Sequence, residues 1–81
     1  MDKRIGVVAI IVEDSHSINR VNSILSSYSE LVVGRMGVPY KEKNVKVISI
    51  IVDGTTDDIG AMTGKLGRLD GVTVKSALTK K

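Results

Sequence analysis

The chain has 81 residues, 42% of them hydrophobic and 26% charged, with a formal net charge of +3 and no cysteine. That length holds one core, so residues 1–81 are expected to form one domain. The missing cysteine excludes disulfides, thiolate metal sites and thiol nucleophiles. With two tyrosines and no Phe or Trp, the base-stacking platform of an RNA-recognition sheet is missing too.

Lys3–Val12 reads as a strand, with Ile5, Val7, Ala9 and Ile11 on one face and Val8, Ile10 and Val12 on the other. Apolar residues on both faces mark a central strand. Asp14, Ser15 and Ser17 then offer capping oxygens for a helix. Its buried stripe is Ile18, Val21, Leu25 and Tyr28, with Ile24 beside them. Leu31–Val38 reads as a second strand, which Pro39 is expected to stop because it supplies no ladder donor.

A polar turn over Tyr40–Asn44 leads to a third strand, Val45–Asp53. Ile48, Ile50 and Val52 line one of its faces, and Val45, Val47 and Ile51 the other. Gly54-Thr55-Thr56-Asp57-Asp58 opens a second helix, capped by Thr55 or Thr56 and acidic in its first turn. Ile59, Met62, Leu66 and Leu69 form its stripe, Asp70-Gly71 ends it, and Val72–Leu78 is a fourth strand.

The order β-α-β-β-α-β predicts an α+β fold, a four-stranded antiparallel sheet with two helices on one face. Right-handed crossovers put the first and third strands in the centre, where the doubly apolar strands belong. Two helices cover one face only. Some six apolar side chains on the other, at about 1.5–3 kcal/mol each, put on the order of 10 kcal/mol at stake. Self-association through that face is the expectation, as a dimer or tetramer.

The basic residues are scattered: Lys3 and Arg4, Lys41 and Lys43, Lys80 and Lys81. A nucleic-acid footprint clusters on one element, so no direct, specific nucleic-acid binding is expected. No apolar run reaches the about 18 residues of a membrane span, and Glu13 and Asp14 follow Ile5–Val12 without a cleavage signal. A cytoplasmic location is therefore expected.

Candidate site residues are few. His16, the one histidine, reads as a surface residue at a helix start or as a metal ligand completed by Glu13, Asp14 or another subunit. Gly34-Arg35-Met36-Gly37 reads as a bulged edge strand, or as backbone that approaches a ligand with Arg35 as a fork for carboxylate or phosphate. Gly60, Gly64 and Gly67 share a face of the second helix and read as a close-packing surface or as simple tolerance. Gly54-Thr55-Thr56-Asp57 lacks the Walker lysine and reads as a capping turn. No nucleophile, base and orienting group are arranged together, so catalysis is not expected.

Three strings carry a likeness: Val32-Val33-Gly34-Arg35-Met36-Gly37-Val38-Pro39-Tyr40, Ile48-Ser49-Ile50-Ile51-Val52-Asp53-Gly54-Thr55-Thr56-Asp57 and Thr63-Gly64-Lys65-Leu66-Gly67-Arg68-Leu69-Asp70-Gly71-Val72. Over essentially its whole length the chain resembles the family of iron-only hydrogenase system regulators. The resemblance implies an ACT-like, ferredoxin-like regulatory domain that serves the hydrogenase system, with no cofactor and no ligand named. More distantly, the strand order is similar to that of the sensory domain of the nickel-responsive repressor, which tetramerises. That domain's nickel site uses histidines on the second strand and a cysteine. This chain has Arg35 and Met36 there and no cysteine, so the nickel site does not carry over.

The resemblance to ACT-like domains implies a small-molecule effector at subunit interfaces near the loop after the first strand. That points to Asp14, Ser15 and His16, joined by Arg35 and Met36 of a neighbour. The expected function is a non-catalytic, oligomeric regulatory module. The alternatives are an interaction module that meets a protein partner without a small ligand, and a metal-responsive sensor.

Overall fold

The computed structural model describes residues 3–80. Strand β1 (Lys3–Val12) leads through a 3-10 turn (Ser15–Ser17) into helix α1 (Ile18–Ser27). A second 3-10 turn (Ser29–Leu31) precedes β2 (Val32–Tyr40), and a third (Lys41–Lys43) precedes β3 (Val45–Thr55). Helix α2 (Thr56–Gly67) and strand β4 (Val72–Leu78) complete the described elements. All ladders are antiparallel and the strand order is β2-β3-β1-β4. The two doubly apolar strands are the central pair, and the fold is ferredoxin-like.

Alternation in β1 and β3 sends Val8, Ile10, Val12, Ile48, Ile50 and Val52 toward the helices. There they meet Val21 and Leu25 of α1 and Ile59, Met62 and Leu66 of α2 to form the core. Lys65 Nζ lies 5.2 Å from the centre of the Tyr28 ring and ties the outer surfaces of the two helices together. None of the helices among the described residues is long and apolar enough to cross a membrane.

The opposite sheet face stays open. Ile5, Val7, Ile11, Met36, Val38, Tyr40 and Ile51 all expose more than a third of their surface.

Two details correct the sequence reading. Pro39 does not stop β2, which continues to Tyr40 with Pro39 opposite Lys46. β2 is an edge strand, and an edge has a side without a ladder partner, where a missing N–H costs little. The irregularity lies earlier, in a register shift between Val32 and Gly34. Gly34 through Gly37 then pair regularly with Ile51 through Ile48. The second correction concerns α1: neither Ser15 nor Ser17 caps it with a side chain.

Candidate cleft beside the loop after the first strand

Between Val12 and Ile18 the chain must turn from the centre of the sheet onto its covered face. Asp14 does this work locally, its Oδ1 accepting the backbone N–H of His16 at 2.9 Å. The same oxygen lies 3.1 Å from His16 Nδ1. A carboxylate only accepts, so in this contact Nδ1 carries the hydrogen. The backbone hydrogen bond, and then the ring hydrogen bond, hold the Asp14 carboxyl below its ordinary value.

A distant turn braces the loop. Ser17 is buried, and its hydroxyl donates to the Asp70 carbonyl at 2.7 Å. The Glu13 N–H donates to the Gly71 carbonyl at 2.7 Å. Gly71 has φ +68°, and a Cβ there would lie 2.7 Å from Asp14 Cβ and 2.9 Å from Asp14 N. Only glycine fits both the backbone conformation and the approach.

The opposite wall comes from the β2–β3 connection, where Asn44 takes the left-handed conformation that lets the chain reverse after Lys43. Between these walls lies a cleft of about 430 Å³. Val12, Ile18, Pro39 and Val45 give it an apolar floor; Glu13, Asp14, Ser15 and His16 stand on one side, and Tyr40, Lys41, Asn44 and Lys46 on the other. Acidic and basic residues thus line one partly apolar space, an arrangement suited to a small ligand with both polar and apolar parts.

Asp14, Ser15 and His16 are therefore brought together, but Arg35 and Met36 of the same chain do not join them. Arg35 stands opposite Ile50 on the helix-covered side of β2, where its guanidinium donates to Asn22 Oδ1 at 2.7 Å. It borders a separate groove of about 220 Å³ with Leu25, Ser29 and Val32. Met36 stands opposite Ser49 on the open face. The sequence reading missed Tyr40, Lys41 and Lys46 as a wall, and Asp70-Gly71 as a brace. The glycine after a helix was the one available signal for the brace. Among the described residues no group of three or more His, Asp and Glu side chains could hold a metal ion.

The family model that matches covers residues 4–76 and is TM1266-like, described as "Iron-only hydrogenase system regulator, putative". Protein TM1266 of Thermotoga maritima has a solved structure that superposes with a TM-score of 0.92 at 35% identity, over 98% of this chain and 100% of that one. The divalent ion tolerance protein CutA1 of Ehrlichia chaffeensis superposes with a TM-score of 0.50 at 14% identity, over 100% of this chain and 86% of that one. At that identity the second likeness concerns the fold alone. No curated protein matches the sequence.

Proposed function

The chain belongs to the TM1266-like family of iron-only hydrogenase system regulators, and on that premise we propose a non-catalytic, cytoplasmic, self-associating module that binds a small effector in the cleft beside Asp14–His16. The observation that carries this reading is the cleft itself. A loop braced from Asp70 and Gly71 presents a carboxylate and an oriented imidazole across an apolar floor from Lys41 and Lys46. Such bracing keeps polar groups in place before a ligand arrives, which lowers the ordering cost of binding. Ser15 and His16 share no hydrogen bond in the structure, so that hydroxyl is not set against the ring as an activated nucleophile. Arg35 and Met36 would take part only from a second protomer.

A thermal-shift panel of small zwitterions, carboxylates and phosphates at millimolar concentration tests the reading. At least one class should raise the melting temperature of the wild-type chain, and His16→Ala and Lys46→Ala should each abolish that rise. A flat response across the panel would retire the effector. The open apolar face supports the second reading, a protein-interaction module with no small ligand, and that flat response would favour it.

A further inference from the structure

The open face has a composition unlike the rest of the surface. From Ile5 to Ile11 its ranks, read across β2, β3, β1 and β4, follow from the ladder registers. Asp53 and Ile5 share one rank; Gly34, Ile51, Val7 and Ala77 share the next. Met36, Ser49, Ala9 and Lys75 follow, and then Val38, Val47, Ile11 and Thr73. In a chain with 12 basic and 9 acidic residues, these four ranks carry two charges, Asp53 and Lys75, of opposite sign. Charge depletion around an apolar centre marks the core of an interface rather than a solvated surface.

The position of these charges identifies the occupant. Asp53 lies on the β3 side of β1, opposite Ile5, and Lys75 lies on the β4 side, opposite Ala9. Val7 stands midway between them, two residues from each. A twofold axis in the plane of the interface, running over Val7 and perpendicular to the Asp53–Lys75 line, exchanges the two positions. An isologous contact requires this reciprocity. On a flat grid with strands about 4.8 Å apart and ranks about 6.8 Å apart, the same axis continues over Met36. Met36 is 67% exposed, and its flexible thioether can adapt to a copy of itself.

Resting on the self-association in the reading above, we propose that this face packs against the same face of a second copy of the chain. Asp53 of each protomer pairs with the partner's Lys75, and Val7 and Met36 lie along the twofold axis. The four ranks span roughly 450 Å² of sheet per protomer, which doubled comes close to the about 1,000 Å² that a biological interface should clear. Strands of the two sheets then cross steeply, in the orthogonal class of sheet packing.

Sedimentation of the full chain at micromolar concentration tests the pairing. The wild type should run as a dimer or a multiple of it. Lys75→Glu and Asp53→Lys should each raise the dissociation constant on the order of tenfold, since symmetry turns one reversal into two like-charge contacts. The double reversal, Asp53→Lys with Lys75→Glu, should return it to near the wild-type value, with circular dichroism confirming that all three variants fold. A wild-type assembly indifferent to both reversals, or one weakened by them and not restored by the double variant, overturns this register and leaves self-association standing. A wild-type monomer overturns both.

Discussion

The molecule contains two strand-to-helix junctions on the same topological plan, and they are built in opposite ways. At the second, β3 runs to Thr55 and α2 begins at Thr56, with no residue between. Thr55 Oγ1 accepts the Asp58 N–H at 3.1 Å, and Asp57 and Asp58 place negative charge in the first turn. That junction caps its own helix end locally, within one turn. At the first, Glu13 and Asp14 and a 3-10 turn intervene before α1, which has neither a side-chain cap nor an acid in its first turn. Asp14 is committed to His16, and Ser17 to Asp70 across the fold. A junction that forgoes local capping needs support from elsewhere, and the room it leaves is the cleft.

The comparison is broken most severely at the brace. Gly71→Ala should destabilise the fold by about 3 kcal/mol, combining left-handed strain with a clash against Asp14, as read by urea denaturation. If the loss is under about 1 kcal/mol, the loop is not fixed from that turn. Thr55→Ala should cost about 1 kcal/mol through the lost cap, with the cleft's ligand response unchanged. Ser17→Ala should cost a similar amount, about 1 kcal/mol. Unlike Thr55→Ala, it should also speed amide exchange of Glu13 and His16, and equal exchange in the two variants would contradict the contrast.

Helix α2 also offers a change of opposite sign. A Cβ on Gly60, Gly64 or Gly67 would meet nothing within 4 Å, so no close neighbour within the chain explains these glycines. Gly64→Ala should therefore stabilise by about 0.5–1 kcal/mol through helix propensity. A fall in melting temperature that depends on protein concentration would instead place a second protomer against that helix. The smallest effect belongs to pH. The folded-state value of Asp14 is depressed, so its stabilising contribution is complete above the unfolded carboxylate value, near 3.8. It is lost as pH falls through the lower folded value. The His16 amide resonance should accordingly titrate below 3.8, and an Asp14 midpoint at or above that value would mean that the hydrogen bonds to His16 do not persist in solution.

The architecture was legible because it is written in local pattern. Val8, Ile10, Ile48 and Ile50 alternate with Val7, Ile11, Val47 and Ile51, and such doubly apolar runs belong only in the centre of a sheet. Pro39 misled because a local rule about ladder donors ignores which strands lie at an edge. The cleft was half legible. Asp14–His16 could be found from the loop's place after a central strand, whereas Lys41 and Lys46 arrive through the β1–β3 register, which sets Val12 opposite Lys46, and Gly71 through packing. Those are non-local facts that no short window contains. Arg35 and Met36, adjacent in sequence, are separated by the pleat onto opposite faces.

The pairing of β1 with β4 has a consequence for how the protein is made. β1 sits in the centre of the sheet, yet its outer partner is the fourth strand to be made: Gly6 aligns with Leu78, and Arg4 Nη1 donates to the Thr79 carbonyl 75 positions away. Until that segment has left the ribosome, one edge of a Val- and Ile-rich strand has no partner, and such an edge invites association with other nascent chains. The polypeptide should therefore remain a chaperone client until β4 has been made. Ribosome-arrested chains should gain protease resistance only when Leu78 has emerged, and resistance arising before Val72 is exposed would mean that the three-stranded intermediate holds together by itself.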